Sequence, residues 1–226
     1  MISHKLLCSI NGKGLNFVML SSTLLLFFIG TSILLIIIPG PDLIFTVVQG
    51  ITNGKKAGVT TAIGLSLGNI VHSLAAAFGL SVIFTSSEVL FTGFKAIGTL
   101  YLFYLAFQAI KHRKETLSLD PEHARKPGNL FLRGFIMNVV NPKVALFFLT
   151  FLPQFVQYET GSVALQMCLL GLIFMVLTAI IFGLLGYFSG TLHRLFFYRP
   201  GLQEVMNVTA ALIFVGLGLK LITTTM

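Results

Sequence analysis

Charged positions in this chain are short interruptions between long apolar runs. No Asp, Glu, Lys or Arg lies between Lys56 and Glu88, or between Glu159 and His193. A membrane-crossing helix needs about 20 mostly apolar residues. The runs predict six of them, at residues 18–38 (with a continuation toward 52), 57–85, 89–110, 131–157, 162–190 and 203–223. The pattern is that of an all-α polytopic membrane protein. One substantial polar stretch, "KHRKETLSLDPEHARKPGN", separates the third and fourth runs, and residues 111–130 are expected to form a loop with little structure of its own. The reading divides the chain into an extension at 1–18 and one transmembrane domain at 19–226, with halves at about 19–110 and 131–226.

Composition sharpens this. Of 226 residues, 55% are hydrophobic and 10% charged, and the mean hydropathy is +0.93. A soluble domain carries about 25% charged residues. The net charge of +8 is dispersed in clusters between apolar runs, which argues for membrane topology and against a nucleic-acid partner. Lys55, Lys56, Lys111, Arg113, Lys114, Arg125, Lys126, Arg133, Arg194 and Arg199 fall after the first, third and fifth runs or at the start of the fourth. Lys5, Lys13, Lys95 and Lys220 fall on the other side. Positive loops stay cytoplasmic, so both termini are expected outside. The first apolar run exceeds the roughly 7–15 residues of a signal-peptide core and is expected to be retained. Cys8 and Cys168 are far apart, with no C-x-x-C, so neither a disulfide framework nor a zinc site is indicated.

The halves resemble each other. The first run ends in "PGPD" (Pro39, Gly40, Pro41, Asp42) and the fourth contains "NPK" (Asn141, Pro142, Lys143). Proline removes an N–H and pushes the residue before it out of helix, so both helices should break there. Pro41 and Pro142 each suit the first position of a new half-helix, where the missing N–H costs nothing. The following runs carry "GLSLG" and "GYFSG", small residues at a spacing that suits close helix packing. Three runs per half is an odd number, so the halves would be inverted repeats. Interrupted helices in matching positions of such repeats point to a transporter site near the membrane midplane.

Asp42 and Lys143 are the charged residues predicted at depth. A charge there costs at least about 2.5–3.5 kcal/mol, so each should face the interior, and each is the natural counterion of the other. The bland alternatives are an N-cap role for Asp42 and snorkelling for Lys143. Asn69 and His72 in "GNIVH", and Asn138 and Asn141 in "NVVNPK", sit at i and i+3. They could line a cavity or serve as interhelical glue. Gln49, Gln108 and Asn207 are weaker candidates. Enzyme motifs, ATP motifs and cofactor-binding loops are absent from the sequence, so no cofactor is expected. Transport energy would come from an ion gradient or from the substrate's own.

Taken together, "PGPD" at 39–42, "NGKKAG" at 53–58, "GLSLGNIVH" at 64–72 and "NVVNPKVALFFLTFLPQF" at 138–155 resemble the LysE/RhtB family of bacterial amino-acid exporters, from about Met19 to the C-terminus. The resemblance implies an inner-membrane exporter of amino acids or close derivatives, driven by the proton-motive force and homo-oligomeric. The family often carries Asn where this chain has Asp42. An amino-acid zwitterion also suits the residues themselves, with half-helix N-termini for its carboxylate and Asp42 for its ammonium. The rival reading is a translocator of metal or other cations, which should show clustered ligands at depth, where only Asp42 and His72 are available.

Overall fold

The computed structural model describes residues 22–38, 40–80, 88–113, 129–157, 161–190 and 200–223. The extension at 1–18, Pro39, most of the loop at 111–130 and the end of the second predicted span lie outside the described residues. The described elements are helices throughout. These are α1 (Ser22–Ile37), α2 (Pro41–Asn53), α3 (Lys55–Ala75), α4 (Glu88–Lys111), α5 (Leu130–Val139), α6 (Pro142–Leu146), α7 (Val163–Tyr187) and α8 (Pro200–Thr223). A π-helical turn, Ala76–Leu80, extends α3. A second, Phe147–Phe151, and a 3₁₀ turn, Leu152–Phe155, extend α6.

Each predicted run corresponds to helix, and both predicted breaks are present. Pro41 opens α2 and Pro142 opens α6. The chain bends by 59° between α1 and α2, and by 48° between α5 and Pro142–Phe155. Among the described residues, Lys55–Gly79 and Val163–Tyr187 are long and apolar enough to cross a membrane, and each bent pair joins them if it forms a single span. α4 and α8 have 24 residues each, enough to reach across at about 1.5 Å per residue, and Asn207–Thr223 within α8 forms a shorter apolar stretch.

Buried and exposed residues are distributed as a bilayer dictates. Leu26, Phe27, Leu100, Phe107, Leu172, Leu184 and Leu212 are exposed, a surface that a soluble protein would not tolerate at this extent. Asp42, Gln49, Asn69, His72, Asn138, Asn141 and Gln166 are buried, as polar groups must be where the outer surface faces lipid. α3 lies at the centre, packed mainly on α7 and α5, while α4 packs mainly on α8. Lipid tails give apolar side chains no reason to associate, so helices here gain by close contact. Glycines make that contact possible. A Cβ at Gly64 would run into the Phe131 carbonyl, and one at Gly186 would lie 2.6 Å from the Gly58 backbone. Gly64, Gly68 and Gly186 thus serve packing, whereas a Cβ at Gly190 would meet nothing within 4 Å among the described residues. Between α2 and α3 the chain reverses at Gly54, whose φ of 86° favours glycine.

Candidate functional site

The two breaks lie side by side, and each is tied to the other by the charged residue that follows its proline. Asp42 is the second residue of α2 and 4% exposed. Its Oδ2 accepts a 3.0 Å hydrogen bond from Nδ2 of Asn138, near the end of α5. Lys143 is the second residue of α6, and its Nζ donates a 2.9 Å bond to the carbonyl of Ile38, just past the end of α1. The second residue of each new half-helix therefore reaches across to the last turn of the other chain segment before its break. The Lys143 bond has a clear cause. A break frees carbonyls at the end of α1, and a cation at a helix C-terminus satisfies them and the dipole together.

The expected direct pairing of Asp42 with Lys143 is not what the side chains do. No ion pair within 4.0 Å joins them, because each has found a hydrogen-bonding partner on the opposite break. The N-termini of the half-helices also differ. Asn141 caps α6, its side chain accepting from the Lys143 N–H at 3.0 Å. At α2 the cap position is Gly40, with no side-chain cap, so its first N–H groups remain available. Asn138 and Asn141 do not share a helical face, because α5 ends at Val139 and Asn141 belongs to the next element.

Asp42, Asn69, Asn138, Asn141 and Lys143 line one small cavity of about 20 Å³. That is room for about one water. Several of its polar atoms are unsatisfied. Asp42 Oδ1, Asn138 Oδ1 and both amide atoms of Asn69 lack hydrogen-bond partners, although the Asn141 side chain stands near the carboxylate. Buried polar atoms without partners are costly and call for explanation. His72 stands one bond behind the cavity. Its Nε2 lies 3.0 Å from the Asn138 carbonyl, which can only accept, so Nε2 carries the proton. The ring stacks on Phe148 at 5.7 Å. Among the weaker candidates, Gln49 is buried and accepts from Asn53, and Gln108 donates to Tyr104 on an exposed face.

Sequence reasoning missed the remaining wall. Phe174, Thr178 and Phe182 of α7 also line the cavity, at i, i+4 and i+8 on one face. α7 is apolar nearly all round, so no periodicity marked that face. Among the described residues no group of three or more His, Cys, Asp or Glu side chains could hold a metal ion.

The sequence matches the LysE type translocator family over residues 33–225. A membrane protein of Bacillus subtilis (strain 168), YrhP, is 29% identical over 87% of this chain and 97% of its own length. A leucine efflux protein of Klebsiella pneumoniae subsp. pneumoniae is 25% identical over 85% of this chain and 91% of its own. One of Salmonella choleraesuis is 24% identical over 85% and 91%. No solved structure matches the chain. Broken helices, a polar interior and this similarity along most of the sequence lead to one assignment: the chain belongs to the LysE type translocator family, whose members are transporters and not enzymes.

Proposed function

We propose that the protein is a secondary transporter of the bacterial inner membrane that exports amino acids or close derivatives, driven by the proton-motive force. The observation that carries this reading is the cavity between the two breaks, where an acid, a base and unpartnered amides surround one space. A zwitterion would answer each of these groups. Its ammonium would bond Asp42 Oδ1 and the Asn69 carbonyl, and its carboxylate would take Lys143 and the uncapped N-terminus of α2. The relatives named for leucine efflux support a cargo of this class. The cavity is too small for an amino acid, so it represents a closed form that must widen to load.

In this reading the six helical runs are six spans, arranged as two inverted three-helix repeats about the paired breaks. Reporter fusions after Lys56, Lys114 and Arg194 should report cytoplasm and a C-terminal fusion the outer side; a cytoplasmic C-terminus would overturn the six-span arrangement. The functional test is amino-acid profiling inside and outside dipeptide-fed cells with and without the gene. Faster appearance of one or more amino acids outside the expressing cells is expected, and identical profiles would refute export.

A further inference from the structure

We infer that the Phe174–Thr178–Phe182 face of α7 is the side-chain selector of the site, and that it selects amino acids with uncharged, apolar side chains. This rests on the export reading and assigns the part of the cavity which that reading leaves without a role. The cavity holds two charges. Asp42 is the carboxylate and Lys143 the cation among the lining residues, and the α-ammonium and α-carboxylate of a zwitterion use both. Nothing remains for a third charge. Three neutral amides, Asn69, Asn138 and Asn141, lie beside the charged pair, and the rest of the lining is Leu35, Ile36, Leu43 and Val144 together with the α7 face and Gly40.

Thr178 adds an acceptor oxygen to that wall but no charge. Its hydroxyl donates to the Phe174 carbonyl at 2.8 Å within its own helix, so its proton is already committed. A lysine, arginine or glutamate side chain placed against the α7 face would be a charge among aromatic and aliphatic groups at membrane depth, with no counter-charge left to pair it. Discrimination against charged side chains should therefore be strong, at least about a hundredfold. Discrimination against an added hydroxyl should be weaker, since an apolar pocket rejects such isosteres poorly.

The two phenylalanines have different freedom. Phe174 is held between Phe147 at 4.6 Å and Phe148 at 5.3 Å. Phe182 is buried but stacks on no ring among the described residues. Without that aromatic clamp, it is the wall member assigned to set the size limit.

The test is efflux of preloaded radiolabelled leucine, lysine, glutamate and phenylalanine from proteoliposomes holding the full-length protein, under an imposed proton gradient. Leucine efflux with lysine and glutamate at background is expected. Lysine or glutamate leaving as fast as leucine would overturn the selector while leaving export standing. Failure of all four to leave, from vesicles with correctly inserted protein, would overturn export itself and the selector with it. Phe182→Ala and the milder Phe182→Leu should raise the phenylalanine-to-leucine ratio, by roughly tenfold for the alanine variant. An unchanged ratio in a variant that still exports would remove Phe182 from the selector.

Discussion

The two stretches of α7 on either side of Thr178 pack by opposite means. Toward one end, Phe28, Phe147, Phe148, Phe151, Phe155 and Phe174 form a connected aromatic group, with Phe147–Phe151 rings 4.8 Å apart and Phe28–Phe155 rings 5.2 Å apart. Toward the other, backbone meets backbone. Gly58 and Gly186 touch, Gly50 packs against Ser189, and Gly64 lies against the Phe131 carbonyl. α7 spans both, from Phe174 past Thr178 to Gly186. Side chains can rotate apart, and the π-helical turn at Phe147–Phe151 is a common site of local adjustment. Backbone contacts have no such freedom and separate only when whole helices move. The aromatic side can therefore yield ring by ring, whereas the glycine side must part as a unit.

The largest effect on stability should come from the glycine side. Gly64→Val and Gly186→Val place a branched side chain where backbone already stands, at or above the upper end of the roughly 1–3 kcal/mol usual for overpacking. Detergent-solubilised variants should melt well below the parent, and an unchanged melting temperature would break the contrast. Phe148→Ala should follow. It removes ring contacts to Phe147, Phe174 and His72, each worth about 0.5–1.5 kcal/mol, so a loss of about 1.5–4.5 kcal/mol is expected with the fold retained. A vesicle leak assay sharpens the point, since this variant should leak substrate while the glycine variants fail to assemble. Gly40→Ala should do least. Its φ of −163° is ordinary extended backbone, and a Cβ would make normal contact with Lys143 Nζ at 3.5 Å. Melting and export close to the parent are expected, within about 0.5 kcal/mol; a severe defect would show that this glycine does more than pass the lysine chain.

What the sequence could reveal follows from the range of each interaction. Proline acts on its own helix, so the breaks at Pro41 and Pro142 could be read locally. Lipid excludes charge, so the burial of Asp42 could be read from the apolar residues around it. The crossing bonds from Asp42 to Asn138 and from Lys143 to Ile38 span 96 and 105 residues, and no local rule reports them. The natural guess that opposite charges pair failed because freed backbone at a helix break competes for the amine. The α7 wall was hidden for another reason. In a membrane helix apolar residues face both lipid and interior, so hydrophobicity cannot tell Phe174 and Phe182 from exposed Leu172 and Leu184.

The paired breaks are proposed to hold the transported molecule through Asp42 and Lys143. Leucine efflux from proteoliposomes carrying Asp42→Ala, Lys143→Ala, the double variant and Asp42→Asn tests this most directly. Each alanine variant loses a substrate contact and strips a partner from the opposite break, leaving the Asn138 amide or the Ile38 carbonyl unpaired at about 1–3 kcal/mol. Efflux at background is predicted for both single variants and for the double. Partial efflux is predicted for Asp42→Asn, whose amide oxygen still accepts from Asn138 or from an ammonium. Near-normal leucine efflux by either alanine variant, inserted at normal levels, would contradict the account and reduce Asp42 and Lys143 to fasteners between two broken helices.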